Sequence, residues 1–287
     1  MSITLSSHDA FVTALEGAHR ITLSAYALTH DMADELSACG DHGAEVHVRL
    51  TAHLIGDASG ARAAGAARMV ADLRRHGVDA ALASPGDSSP HVKAATLDGV
   101  LWLDDRNFPR KGPDLVVRDD DPADACAATS WLDGSGAHSD RLTFTKHDAL
   151  AQEAAAIAAA PHGEIDVSTE DIGTGAVEVT LRGRLTAGDH VRLLVDRAEC
   201  TSPSARSALA LLEKAGAEIR SHKALDKLAV TGDSAWMGSA NATYPDPRTA
   251  AQSDWGSVTT QADAVVTLGQ RFDEVWNAAS PTSSTQA

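Results

Sequence analysis

The sequence predicts an α/β protein built from two similar halves, each a mixed sheet flanked by helices. Strand-like patterns alternate with helical patterns along the 287 residues, which is typical of sheets with crossover helices. The same order of patterns then returns in the second half. The clearest repeats pair Val46–Leu50 with Val191–Val195, and Leu73–Gly77 with Leu212–Gly216.

Hydrophobic periodicity places the elements of the first half. Ala61–His76 has helical spacing, and Gly77 stands where a helix C-cap belongs. Residues 84–90 are rich in Pro, Gly and Ser, as loops are. The remaining predictions are a helix at Asp9–Gly17 and strands at Ile21–Tyr26, Glu45–Leu50 and Val78–Leu82.

The second half repeats this order. The acidic and then Gly/Ser-rich stretch Asp119–Ser139 is predicted to connect the halves. We therefore expect an N-terminal half at residues 1–140, a C-terminal half at 141–279 and a disordered tail at 280–287. The predicted elements are helices at Asp148–Ala160 and Ser204–Ala215, the latter capped by Gly216, and strands at Ile165–Thr169, Val191–Val195 and Ala217–Arg220.

Composition indicates the cellular compartment of the protein. No apolar run approaches the roughly 20 residues of a membrane span, and the first residues lack the basic and apolar regions of a secretory signal. The three cysteines, Cys39, Cys126 and Cys200, are widely spaced and odd in number, which favours free thiols in a reducing compartment. We expect a cytoplasmic monomer with no stable membrane insertion.

The charge balance argues against long nucleic acid as a partner. The chain has 24 basic and 40 acidic residues, a net charge of −16, and its basic residues are scattered. Nucleic-acid binding usually needs a basic stripe that replaces counterions. A local positive cleft is still compatible with this balance, because net charge does not describe one pocket.

The most informative stretch begins at His91. In a strand, residues i and i+2 face the same way, so we expect the His91 imidazole and the Lys93 ammonium to project together. This pair suits a phosphate, because the cation holds non-bridging oxygens while a neutral imidazole nitrogen attacks phosphorus. Asn107, at a neighbouring strand end, could donate a further hydrogen bond.

The second half carries a matching set. Asn107 follows Lys93 by 14 positions, and Asn241 follows Lys227 by the same 14. Each interval contains a tryptophan in the same register, Trp102 or Trp236, which we interpret as a core anchor. This equal interval predicts a duplication, with two lobes related by a pseudo-twofold axis and the lysines and asparagines converging in one cleft.

These residues resemble the signature of the phospholipase D superfamily, which is H-x-K, an Asp five positions after the Lys, and a later G-S/T-x-N. The resemblance implies two α/β halves with a shared site and no metal or other cofactor. It also implies a phosphohistidine at one His, an opposite His that moves protons, Lys and Asn side chains that bind phosphoryl oxygens, and an Asp that orients its His. The matching residues are His91, Lys93, Asp98 and Asn107 in the first half, and Lys227, Gly238, Ser239 and Asn241 in the second.

The second motif departs from the family signature at the histidine and aspartate positions. Leu225 occupies the histidine position, and leucine cannot transfer protons. Gly232 occupies the aspartate position, with Asp233 one place late. Three explanations stay open: Leu225 was introduced to inactivate the protein, the lineage lost activity or uses another acid, or His222 substitutes, although i and i+3 point to opposite faces of a strand.

Three single acidic residues and one acidic run also need an interpretation. Asp105 replaces the first motif's serine, Glu170 follows a strand end, and Asp254 lies 13 residues after Asn241, where family members often keep an acidic residue. We treat these three as weak site candidates. The run Asp119–Asp121 is interpreted as a solvated turn and not as a metal site, because no histidine accompanies it at ligand spacing.

The sequence therefore predicts a metal-independent phosphodiester hydrolase or transferase with His91 as nucleophile, impaired as it stands by Leu225. The acidic charge favours a small or lipid phosphodiester as the substrate. Two alternatives remain: a nuclease of the same superfamily, and a catalytically silent protein that keeps a phosphate cradle without the acid.

Overall fold

A computed structural model of the chain describes residues 3–52, 60–83, 89–109, 115–132, 139–223, 226–243 and 252–281. The chain divides into two compact units. The first comprises Met1–Thr145 together with Ala251–Trp255, and the second comprises Lys146–Ala250 together with Gly256–Ala287. Five residues of the C-terminal part of the chain therefore belong to the first unit.

Strands and helices alternate in both parts of the chain. Up to residue 145 the elements are β1 (Ile3–Ser6), α1 (His8–Gly17), β2 (Arg20–Ala25), α2 (His30–Asp41), β3 (Glu45–Leu50), α3 (Ala61–Arg75), β4 (Asp79–Leu82), β5 (Ser89–Pro90), β6 (Ala94–Leu97), β7 (Val100–Asp104), β8 (Val116–Asp119), α4 (Pro122–Leu132) and β9 (Leu142–Thr143). From residue 146 they are α5 (Lys146–Ala159), β10 (Glu164–Thr169), α6 (Ala176–Thr186), β11 (His190–Val195), α7 (Pro203–Ala215), β12 (Glu218–Ser221), β13 (Lys227–Val230), β14 (Ala235–Gly238), β15 (Gln252–Ser253), β16 (Gly256–Thr259), α8 (Ala262–Ala278) and β17 (Ser280–Pro281).

Each unit has a mixed sheet flanked by helices, as predicted. In the first unit the strand order is β1-β8-β7-β6-β2-β3-β4, with β2, β3 and β4 parallel and the other neighbours antiparallel. In the second unit the order is β17-β12-β11-β10-β13-β14-β16, with β10, β11 and β12 parallel. Six strands therefore correspond between the units, from β8, β7, β6, β2, β3 and β4 to β16, β14, β13, β10, β11 and β12.

The corresponding hairpins also share their register, which confirms the predicted duplication. Ala95 pairs with Trp102 in the first unit, and Ala229 pairs with Trp236 in the second. Both members of the second pair lie 134 positions after those of the first (229 − 95 and 236 − 102). Both tryptophans are buried in their own unit's core, so the interpretation as core anchors is confirmed.

Local sequence signals mark the start and the end of α7 and the end of α3. Ser202 caps α7 by accepting a hydrogen bond from the Ala205 amide, and Pro203 occupies the first turn, where its missing N–H costs nothing. Gly216 ends this helix at φ 103°, a left-handed conformation that favours glycine. Gly77, with φ 78°, follows the end of α3.

The stretch Asp119–Ser139 was predicted to be a connection, and the structure corrects this. It contains the end of β8 and the whole of α4, while residues 133–138 lie outside the described residues. Asp119 and Asp121 are buried and both bind the Arg141 guanidinium at 3.2 Å, so the interpretation of the run as a solvated turn is wrong. The Asp121 carboxylate also accepts the amide of Ala123 in the first turn of α4. Burial raises the pKa of Asp119 to about 6.

The C-terminal residues and the thiols complete the fold. Ser280 and Pro281, at the start of the predicted tail, pair with β12, and residues 282–287 lie outside the described residues. All three cysteines are free. Within the described ranges, no helix is both long enough and apolar enough to cross a membrane.

Candidate active site

His91 and Lys93 come together, although not on a strand as predicted. Residues 91–93 have an irregular backbone, and β6 begins only at Ala94. The Lys93 ammonium is nevertheless 3.1 Å from Nδ1 and 3.5 Å from Nε2 of the His91 imidazole. Lys93 is buried, whereas the His91 side chain keeps about a quarter of its surface exposed (26%). The imidazole is therefore accessible to a substrate beside a desolvated cation.

Asp254 is the carboxylate that binds His91. Its Oδ1 lies 2.7 Å from His91 Nδ1, and its side chain is 2% exposed. The short strand β15 pairs in parallel with β5, which places the residue after β15 beside the residue after β5. Trp255 then anchors the segment by donating its indole N–H to the backbone oxygen of Asp104 at 2.7 Å. A residue that the sequence offered as a weak candidate is thus in direct contact with the predicted nucleophile.

This contact decides which imidazole nitrogen can act. Nδ1 cannot donate to Asp254 and accept from Lys93 at the same time, and the carboxylate contact is the shorter of the two. With the proton on Nδ1, the lone pair resides on Nε2, and Lys93 lies within 3.5 Å of that nitrogen. Carboxylate–imidazole pairs fix the tautomer in this way in other histidine sites.

Tyr26 is a site residue that the sequence analysis missed. Its ring meets the His91 imidazole edge to face, with centroids 4.9 Å apart and planes at 61°. Tyr26 is the first residue after β2, so its position at a strand end beside the motif strand β6 was the available signal. Asn107 reaches the same strand end, where its Oδ1 accepts the amide of Ala27 at 3.1 Å.

Asp98 does not orient His91, which corrects the role implied by the resemblance. It lies in the β6–β7 turn at φ 49°, at the opposite end of the strand β6 from His91. Its carboxylate oxygens accept the backbone amides of His19 and Arg20 at 2.8–3.1 Å. Asp98 therefore ties the hairpin to the start of β2, and the orienting contact comes from Asp254.

The two aspartates that replace the first motif's Gly-Ser are both buried. Asp104 accepts the amides of Arg106, at 3.1 Å, and of Phe108, so it holds the turn that leads to Asn107. Asp105, the weak candidate, is 2% exposed. This substitution thus provides a structural cap at Asp104 where the family pattern has glycine.

The second unit presents Lys227 at the matching edge of its sheet. Lys227 is buried, and its ammonium lies 3.4 Å from the Glu170 carboxylate. Ser239 is buried and Asn241 is partly exposed. The Ala242 amide donates to the Thr169 hydroxyl at 3.1 Å, which fixes the Asn241 segment to the end of β10. Leu225, at the position of the missing histidine, lies outside the described residues.

Tyr26 and Glu170 occupy equivalent positions. Tyr26 directly follows β2 and Glu170 directly follows β10, and these are corresponding strands. In the first unit this position contacts the motif histidine, and in the second it contacts the motif lysine. Glu170 was a weak candidate by sequence, and the structure places it beside Lys227.

The two units present similar sets of side chains. Each unit offers a lysine and an asparagine motif at the carboxyl edge of its parallel strands, and the first unit adds a histidine held by a carboxylate. Among the described residues, no group of three or more His, Cys, Asp or Glu side chains is arranged to hold a metal ion.

Two solved structures align with nearly the whole of this chain. Phosphatidylserine synthase from Haemophilus influenzae Rd KW20 aligns with 98% of this chain and 87% of its own, at 10% identity and a TM-score of 0.72. Polyphosphate kinase from Porphyromonas gingivalis aligns with 95% of this chain at 14% identity and a TM-score of 0.66, and the chain spans about half of that kinase (46%). The two-unit fold expected from the motifs is therefore shared with both of these proteins.

Other comparisons add little. Nuc from Salmonella typhimurium, described as a phospholipase D family member, aligns with half of this chain (50%) at 16% identity and a TM-score of 0.44. No protein-family model and no curated protein sequence matches the chain. At 10–14% identity, the full-length likenesses show the fold, and the reaction of this protein must be argued from its own residues.

Proposed function

We propose that this chain is a metal-independent phosphodiester hydrolase or transferase that acts through a phosphohistidine at His91. The observation that carries the proposal is the 2.7 Å contact between Asp254 and His91 Nδ1, which directs the lone pair of the imidazole to Nε2. A buried Lys93 ammonium within 3.5 Å of Nε2 supports the same reading, because it can hold a phosphoryl oxygen next to the attacking nitrogen.

The proposed reaction has two displacements. In the first, the Nε2 lone pair forms a bond to phosphorus, and the bond to the leaving oxygen breaks. In the second, water or an alcohol attacks phosphorus and gives its proton to a base from the solvent, since Leu225 offers none, and the bond to Nε2 breaks. We assign oxygen binding to Lys93 and Asn107 in the first unit and to Lys227, Ser239 and Asn241 in the second.

Leu225 impairs this reaction as proposed. An alkoxide leaving group needs a proton, and the side chain at the second motif's histidine position cannot supply one. We therefore propose that binding and attack on substrates with acidic leaving groups persist, while turnover of alkyl phosphodiesters is weak. Two other residues are candidate proton donors. His222 is the nearest in sequence, and Glu170 contacts Lys227 of the motif.

A small or lipid phosphodiester is the proposed substrate class. The net charge of −16 disfavours the long polyanion that a nuclease would bind, although a nuclease remains the alternative with the same chemistry. A silent phosphate-binding protein is the alternative from another class, favoured specifically by Leu225. We also propose a cytoplasmic setting and a monomeric state, as the composition predicts.

Replacing Asp254 with Asn should slow the first displacement. Asparagine keeps the size of the side chain but can donate an N–H to Nδ1. This favours the tautomer with the proton on Nε2, which then has no lone pair for the attack on phosphorus. The comparable change in a Ser-His-Asp triad costs about 10⁴-fold, so we expect a fall of about 10²-fold or more. The rate of p-nitrophenolate release from an aryl phosphodiester measures this, and Asp263→Asn, in the first turn of α8, is the control. An unchanged rate would remove Asp254 from the mechanism.

Chelation of divalent ions should leave this activity unchanged. Lysine and amide side chains can supply the charge and the donors that a metal supplies in other phosphodiesterases. Release of p-nitrophenolate is measured with and without excess EDTA, in the chain as it stands and in Leu225→His. Loss of activity with EDTA that magnesium or zinc restores would contradict the proposed mechanism.

A further inference from the structure

A cavity in the second unit has no role in the reaction described so far. Its volume is about 250 Å³. One wall is a face of α5 with Leu150 and Ala151, another is the start of α6 with Ala176 and Val177, and the third is formed by Ala242 and Thr243. Gly175 and His147 complete the lining, in which His147 and Thr243 carry the polar side chains and the others are hydrocarbon or glycine.

The floor of the cavity belongs to the unit's hydrophobic core. Leu150, Val177 and Ala242 are 6%, 2% and 3% exposed, and all three are members of that core. Small residues, among them Ala151 and Ala176, leave space above this floor that larger side chains would fill. Covering such an apolar floor with an apolar guest is favourable because both surfaces leave water.

The cavity lies directly beside the motif asparagine. Ala242 is the residue after Asn241, and consecutive Cα atoms are about 3.8 Å apart. Ala242 also bridges Ile172 in the loop between β10 and α6, and its carbonyl accepts the amide of Gly173 at 2.9 Å. Hydrogen bonds thus connect the cavity wall at Ala242 to the loop after β10, and Glu170 at the start of that loop contacts Lys227.

We propose that this cavity binds a compact hydrocarbon group esterified to the phosphate that Lys227 and Asn241 hold. The inference rests on the proposed function, because it needs a phosphate at these two residues. It narrows the substrate class to phosphodiesters with a small alkyl or aryl substituent. His147 and Thr243 are the polar side chains of the lining and the floor is hydrocarbon, so a sugar or a charged headgroup would find few replacements for its hydration there.

A chain-length series tests this inference. Inorganic phosphate and methyl-, ethyl-, propyl- and butylphosphonate, which cannot be hydrolysed, are titrated calorimetrically into the protein. Burial of a methylene is worth about 0.8 kcal/mol, so affinity should rise about fourfold for each added carbon until the cavity is full. Dodecylphosphonate should then bind no more tightly than the member that fills it, and a continuing gain would overturn the compact group.

Two phenylalanine variants locate the gain. Ala151→Phe fills the cavity from an exposed position on α5 and should abolish the chain-length dependence without changing the affinity for inorganic phosphate. Ala155→Phe, at an exposed position one turn along the same helix that does not line the cavity, should keep the full dependence. Binding of inorganic phosphate also reports that each variant is folded.

The outcomes separate this inference from the proposed function. Phosphate binding without a chain-length dependence, or a dependence that survives Ala151→Phe, would overturn the cavity's role and leave the proposed function intact. Loss of phosphate and phosphonate affinity in Lys227→Met supports the shared site. If the chain as it stands binds none of the probes, the phosphate site and the role of the cavity are both overturned.

Discussion

Replacing His91 with Ala should abolish the covalent intermediate and reduce hydrolysis of an aryl phosphodiester to the background rate. The imidazole is the proposed nucleophile, so its removal leaves no atom on which phosphorus can be held. With bis(p-nitrophenyl) phosphate the leaving group needs no proton, so the first displacement can proceed despite Leu225. We expect the adduct to accumulate, because the second motif offers no histidine that could activate water.

Intact-mass measurement after incubation with this substrate detects the adduct, and fragmentation locates it. His42→Ala is the matched control, because His42 is an exposed histidine of the same unit at the end of α2. It should form the adduct at the normal rate. An adduct that persists in His91→Ala would place the nucleophile elsewhere, and its absence from every form, with phosphate still bound, would favour the silent binding protein.

Replacing Leu225 with His should raise the turnover of alkyl phosphodiesters by about 10²–10⁴-fold, the usual worth of general acid–base catalysis. The new imidazole can protonate the leaving alkoxide and then take a proton from water. The gain should be much smaller in the release of p-nitrophenolate, which leaves without a proton. In the same variant the adduct on His91 should become short-lived.

Steady-state rates with methyl and p-nitrophenyl esters of one phosphate measure this difference. Leu225→Gln is the control, since a glutamine is polar but cannot exchange protons near neutral pH, and it should leave both rates unchanged. Rapid turnover of the alkyl ester by the unaltered chain would mean that another residue already supplies the acid. Glu170 beside Lys227 would then be the first residue to replace.

The sequence predicted the repeated part of the fold well, because repeated patterns corroborate one another. The strand Glu45–Leu50 was predicted at its observed limits. Helix α2 was missed although Thr29 caps it and its buried Met32, Leu36 and Cys39 have helical spacing. Helix α4 was missed because its acidic start resembles a solvated turn, and the partner that neutralises those carboxylates, Arg141, lies 17 positions after Asp124.

The site was predictable where residues are neighbours in sequence and less so where they meet through the fold. His91 and Lys93 were paired correctly from their spacing, although the backbone that pairs them is not a strand. Asp254 is 163 positions from His91. It was a candidate only because members of the resembled family often keep an acidic residue in that region. The role of Asp98 was misjudged because a motif gives the order of residues but not the end of a strand at which each one lies.

The five-residue segment Ala251–Trp255 has a consequence for any attempt to separate the halves. It reaches the first unit from the far part of the chain, pairs through β15 with β5, and supplies both the carboxylate on His91 and the indole that anchors it. A fragment cut at residue 145 would keep His91, the proposed nucleophile, and lose Asp254, the carboxylate that binds it. The fold repeats in the two units, but the histidine and its carboxylate come from distant parts of the chain, so an N-terminal fragment would carry a histidine with no carboxylate to set its tautomer.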